Sequence, residues 1–213
     1  MKRYTDKIET GTKHLHSSDL VMRELIERCT PFTSLKLEHN RFHSLVNAII
    51  SQQISIHAAR SVQLRLLNHV GKTGINPKRI ASLKLIELRA LGIPKPKGLY
   101  LLELARKVQS GHLALNKIGR LNDEALIEKL IAVKGIGTWT AQMFMIFSLG
   151  RMDVLPWNDY ALRIALQRLY HLKELPNKDR CLQIAEPWRP YATIGSWYCW
   201  RSHETVAAGS PRG

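Results

Sequence analysis

Three features between residues 133 and 163 can do chemistry: a Gly135-Ile136-Gly137 turn, a tryptophan at 139 and a lone acid, Asp159. The turn, Val133-Lys134-Gly135-Ile136-Gly137, sits between two helical patterns, and its glycines permit positive φ and close approach to the backbone. Unbonded N–H groups at the start of the second helix, backed by the helix dipole, form an anion site. Lys134 adds a charge that can meet the same phosphate. A bare GxG is more often an αα-turn than a ligand site. Here a capped helix precedes it, GIGTWTA extends it, and the chain is strongly basic. Asp159 follows a proline-bounded loop, LPWND, and opens the next helix. It reads as a helix N-cap and also as an isolated carboxylate. A phosphate grip with one carboxylate points to chemistry on nucleic acid.

The composition agrees. Lys and Arg outnumber Asp and Glu by 32 to 17, for a formal charge of +15 over 213 residues. A folded surface this basic attracts polyanions and releases their counterions. Cys29, Cys181 and Cys199 are odd in number and form no CxxC pair, which argues against a disulfide framework, a zinc ribbon or an iron–sulfur loop. The N-terminus has no apolar signal region, and no apolar run approaches the ~18 residues of a membrane span. The expectation is a soluble, cytoplasmic protein with no membrane partner. The nine histidines show no metal spacing, and the His14/His16 pair is placed in a flexible N-terminal tail.

The elements that must position these groups are helices. No run of alternating β-branched residues marks a strand. Apolar periodicity predicts helices around Leu20–Ile26, Phe42–Ile50 and Val62–Leu67. It predicts one short helix through Ile80, Leu83, Ile86 and Leu88, stopped by Gly92 and the Pro94/Pro96 pair, then another over Leu99–Val108. Asn122 reads as the N-cap of Asp123–Ile131. Thr138–Leu149 reads as a buried, nearly all-apolar helix. Tyr160–Tyr170 is the next helix, and the stretch from Asp179 to about Trp200 supplies the rest.

With these motifs in order, the chain resembles the helix-hairpin-helix DNA glycosylase superfamily, and within it the alkylation-repair branch of the 3-methyladenine DNA glycosylase II type. The resemblance rests on the hairpin, the aspartate after LPWND, the terminal WRPYATIGSWYCWR and IISQQIS at 49–55, and covers roughly residues 40–200. It implies an all-α fold of two lobes with a cleft between them. One lobe would be residues 41–150 with the hairpin; the other would be 1–40 plus 151–205, with 206–213 a disordered tail.

The resemblance also assigns residues. Asp159 falls on the catalytic aspartate, with Arg163 placed one turn above it. Loss of a base from deoxyribose builds positive charge on the sugar, which a fixed carboxylate stabilises; the same group can orient or deprotonate a water. Trp139 stands where bifunctional members carry a Schiff-base lysine, so the implied enzyme is monofunctional. Trp139, Trp200 and Met143 would line the base pocket, where a tryptophan face attracts cationic alkylpurines. Met143 stands where the family pattern has a tyrosine, and the residue-level reading of both tryptophans is core packing.

Lys134, Gly135, Ile136, Gly137, Thr138 and Thr140 would bind DNA at the hairpin. The loop Ser51-Gln52-Gln53-Ile54 would fill the gap left by an extruded nucleotide, with Gln53 in a position that a leucine fills in the best-known member. Backbone carbonyls of Ile131, Val133 and Ile136 would hold a structural monovalent cation; no catalytic metal and no cofactor are expected. The function implied is hydrolysis of the N-glycosidic bond of alkylated purines in double-stranded DNA by a monomer. The rivals are a non-catalytic damage-binding module and a bifunctional glycosylase/lyase.

Overall fold

The computed structural model describes residues 2–32 and 35–207. Among these every regular element is helical. They fall into two compact units, residues 37–149 and the described parts of 1–36 and 150–213.

The first unit begins with α1 (Lys2–Ser18) and α2 (Leu20–Arg28). The sequence reading placed residues up to 16 in a flexible tail, so α1 is a correction. Its buried apolar positions are only Ile8 and Leu15. Between them Gly11 carries the contact. A Cβ there would lie 2.3 Å from the Ile194 side chain and 2.6 Å from Tyr191. A helix that packs through a missing side chain leaves little hydrophobic period to read. His14 Nε2 lies 2.9 Å from the Pro187 carbonyl, and His16 pairs with Glu27 at 3.0 Å. Asp19 caps α2, its Oδ1 accepting from the N–H groups of Val21 (2.9 Å) and Met22 (3.2 Å).

The second unit contains α3 (Arg41–Ser51), α4 (Ile56–Val70), α5 (Pro77–Ala81), α6 (Leu85–Ala90), α7 (Lys95–Gln109), α8 (Leu115–Ile118), α9 (Asp123–Ile131) and α10 (Thr138–Phe147). The single helix expected through Ile80–Leu88 is two, α5 and α6. Ile80 and Leu88 are buried, whereas Ile86 is 73% exposed, so these apolar residues do not share one face. Pro94 and Pro96 open α7, where a fixed φ and a missing N–H do no harm. Asn122 caps α9, its side chain accepting from Ala125 N–H at 2.9 Å. In α10 every side chain from Thr140 to Ile146 is buried. A helix apolar on all faces needs such surroundings, and α3 and α9 pack against it.

The chain then returns to the first unit through α11 (Tyr160–Leu169), α12 (Lys178–Ala185) and α13 (Ala192–Ala207). The stretch expected from Asp179 to Trp200 is interrupted at Glu186–Trp188, a 3-10 turn containing Pro187. Residues 206 and 207 of the expected tail end α13, and 208–213 lie outside the described residues. No helix among the described residues is long and apolar enough to cross a membrane.

Candidate active site

In the second unit, α9 reaches α10 through a short turn in which Val133 N–H donates to Leu130 O and Ile136 N–H to Val133 O, both at 3.0 Å. Its two glycines do different jobs. Gly135 has φ +90, and a Cβ there would fall 2.1 Å from the Tyr100 ring, so only glycine fits. Gly137 caps α10 with φ −97, ordinary for any residue, and a Cβ there would meet nothing within 4 Å. The first-turn N–H groups of α10 therefore begin at a backbone cleared of side chains, the arrangement that suits a phosphate. Lys134 is exposed beside them; Thr138 and Trp139 are partly exposed.

Thr140, expected at this surface, and Met143, expected in the base pocket, are both buried. Thr140 is 1% exposed, and its hydroxyl accepts from Gln52 Nε2 at 2.9 Å, so it braces the turn rather than meeting a phosphate. Met143 is 8% exposed within the apolar body of α10.

The Ser51–Ile54 segment divides in the same way. The Ser51 hydroxyl donates to Asn47 O at 2.8 Å and accepts from Gln63 at 3.2 Å. The Gln52 amide turns inward, donating to Gly135 O at 2.8 Å as well as to Thr140. Gln53 and Ile54 are the outward residues, and Gln53 holds φ 56, a left-handed value unusual for a side chain of its length. Sequence reasoning missed Lys97, whose ammonium donates to Ile50 O at 2.8 Å and to Gln52 O. Burial pushes its pKa down. Nothing in its local sequence separates it from the chain's many surface lysines.

In the first unit, the loop before α11 is pinned to the start of α13. Thr193 N–H donates to Met152 O (2.9 Å), its hydroxyl to Arg151 O (2.8 Å), and Val154 N–H to that hydroxyl (3.0 Å). Arg189 pairs with Asp153 at 2.8 Å. The loop delivers Asp159 at the N-terminus of α11, where Oδ1 accepts from Leu162 N–H at 2.7 Å, the capping geometry expected of it. The same oxygen accepts the Trp200 indole N–H at 2.9 Å. Arg163 does not provide that contact; its Nε donates to Pro176 O at 2.7 Å. Trp200, for which the resemblance implies a place in the base pocket and the residues alone suggest core packing, is a direct partner of the carboxylate.

Among the described residues no group of three or more His, Cys, Asp or Glu side chains could hold a metal. The hairpin carbonyls suit a monovalent cation chemically. Ile131 ends α9, where carbonyls lack helical partners, and Val133 O keeps a lone pair beside its bond from Ile136. With Ile136 O they would form the oxygen set.

The family model described as HhH-GPD superfamily base excision DNA repair protein matches residues 46–190. The chain belongs to that superfamily. It is 33% identical over 178 residues to YfjP of Bacillus subtilis, aligning 81% of this chain with 62% of that protein, so it spans less than two thirds of that relative. It is 32% identical over 173 residues to DNA-3-methyladenine glycosylase 1 of Schizosaccharomyces pombe, covering 80% of this chain and 75% of the other. The solved S. pombe 3-methyladenine DNA glycosylase Mag1, in complex with abasic DNA, superposes with a TM-score of 0.84 at 29% identity, over 92% of this chain and 97% of that one.

Proposed function

We propose that the chain is a monofunctional DNA glycosylase that hydrolyses the N-glycosidic bond of alkylated purines, 3-methyladenine and 7-methylguanine among them, and leaves an abasic site. The observation that carries this reading is Asp159. It is an aspartate at a helix N-terminus, held by a main-chain and an indole N–H, in a chain whose relatives bear the name of that activity.

Departure of the base leaves an oxocarbenium-like sugar. A carboxylate already held in place stabilises that charge without reorganising. It also orients, and takes a proton from, the water that adds to C1′. The fission of C1′–N and the addition of water balance as hydrolysis: free base and abasic sugar are the products. Residue 139 is a tryptophan, so that position supplies no amine for a Schiff base. Lys134, Gly135, Ile136, Gly137 and Thr138 bind the DNA backbone. Gln53 and Ile54 enter the duplex, and Trp139 and Trp200 present indole faces to a cationic base. A monovalent cation on the carbonyls of Ile131, Val133 and Ile136 would stiffen the hairpin. The protein works as a monomer on double-stranded DNA inside the cell, without a cofactor.

The test is release of bases from methylated DNA, with the freed bases separated chromatographically. Wild type releases methylated purines and Asp159→Asn does not. Intact DNA binding with no release by either protein would leave only a damage-binding module. A covalent adduct trapped by borohydride would replace hydrolysis with lyase chemistry.

A further inference from the structure

We propose that Gln52 and Lys97 are positioning residues that lock the outward Gln53–Ile54 tip to the hairpin, so that tip and phosphate grip form one rigid surface. This rests on the reading of the chain as a DNA glycosylase, which gives that surface its task.

Three links lie within the second unit. From the tip, the Gln52 amide crosses to the hairpin, donating to Gly135 O at 2.8 Å and to Thr140 Oγ1 at 2.9 Å. From α7, Lys97 closes the end of α3 by donating to Ile50 O at 2.8 Å and to Gln52 O. Those carbonyls belong to the last turn of α3 and its cap, which have no helical partner of their own. One turn along α7, Tyr100 packs on Gly135 so closely that a Cβ there would fall 2.1 Å from its ring. Helix α7 thus touches the tip through Lys97 and the hairpin through Tyr100, while Gln52 joins the two directly.

The tip needs such support. Gln53 sits at φ 56, where a non-glycine residue is strained, and its neighbours Ile54 and Ile56 are 40% and 85% exposed. Strain of this kind persists only where surrounding bonds over-determine it. A tip that must stay extended while it displaces a nucleotide works only if it cannot fold back. Lys97 is half-buried and its ammonium is directed at two carbonyls, so its role is distinct from that of the exposed, phosphate-facing lysines.

The experiment compares wild type with Lys97→Met, Lys97→Arg and Gln52→Met. Binding is measured to a duplex carrying a tetrahydrofuran abasic analogue and to the undamaged duplex of the same sequence. Amide hydrogen exchange is followed over 49–56 and 134–139. Lys97→Met and Gln52→Met lower the preference for the abasic duplex by about tenfold, since each removes donors to part-buried carbonyls. They change undamaged-duplex affinity by less than about threefold and speed exchange in both segments. Lys97→Arg, which keeps donors at that position, restores both readouts.

Faster exchange confined to 49–56 overturns the brace, as does a parallel loss on both duplexes or a shallower salt dependence, which would make Lys97 a phosphate contact. Failure of wild type to release alkylated bases strikes the glycosylase reading instead. The exchange result then judges the brace alone.

Discussion

Asp19 and Asp159 each cap a helix through Oδ1, and each accepts an indole N–H, from Trp188 and Trp200 respectively. Asp19 uses both oxygens in joining segments. Oδ1 takes the α2 N–H groups, and Oδ2 takes the Tyr170 hydroxyl and, at 2.9 Å, the fully buried Trp188. In Asp159 the cap and the indole meet on the same oxygen, and both aspartates are partly exposed. One carboxylate joins α2 to Tyr170 and Trp188 through both of its oxygens. The other gathers a main-chain and an indole N–H on one oxygen at the head of α11. Residue type and local position are the same in both, so capping by itself neither argues for chemistry nor against it.

The largest expected difference is at the two acids. Asp159→Asn lowers the single-turnover rate of base release by at least about a thousandfold, while asparagine still caps α11 and the melting temperature stays nearly unchanged. Asp19→Asn does the reverse: an amide NH2 takes the place of the oxygen that accepts from Tyr170 and the buried Trp188, which lowers stability by about 2–3 kcal/mol and leaves the rate per folded molecule close to wild type. Equal effects of both substitutions on rate would erase the distinction.

The hairpin offers the same contrast. Gly135→Ala meets Tyr100 and a forbidden φ, and destabilises by about 3 kcal/mol in a denaturant titration. Gly137→Ala places a methyl in open space, keeps the fold, and weakens DNA binding about tenfold by obstructing the phosphate approach. A folded Gly137→Ala with unaltered affinity would remove the anion site from the reading.

The indoles sharpen it further. Trp200→Phe keeps an aromatic face but loses the N–H, so the release rate falls about tenfold at near-constant stability. Trp188→Phe leaves rate alone and costs about 1–2 kcal/mol of stability.

The smallest effect is in alkali. Burial, with Asp19 alongside, pushes the Tyr170 hydroxyl far above its ordinary pKa of 10.0. The folded group stays protonated while the unfolded one ionises. Its contribution is therefore whole below pH 10 and erodes as the pH climbs from there toward the raised folded value. Tyr170→Phe should lose less stability than wild type between pH 9 and about 11 in matched thermal melts.

What could be read from the residues was what chemistry and short spacing encode. Asn122 and Asp159 stand out as caps because a cap and its partner are three residues apart. The hairpin stands out because two glycines punctuate two helical periods in a strongly basic chain. Trp139 and Trp200 were placed by resemblance, but the bond from Trp200 to Asp159 spans 41 residues and obeys no local rule. Gln52 shows the limit most sharply. Its type and loop position suit a DNA contact, yet the hairpin carbonyl 83 residues away claims its amide. Helix α1 was hidden for the opposite reason, since Gly11 contributes to packing by having nothing to show. The break between α5 and α6 was hidden because Ile86, apolar in type, faces solvent.

The three cysteines have a consequence for an enzyme of this kind. All are buried and outside any disulfide, and burial pushes the thiols of Cys181 and Cys199 above the ordinary range. Agents that methylate purines also methylate sulfur, and they do so through the thiolate. A chain with its thiols shielded in this way offers such reagents little thiolate. Its thiols can stay unmodified through such exposure.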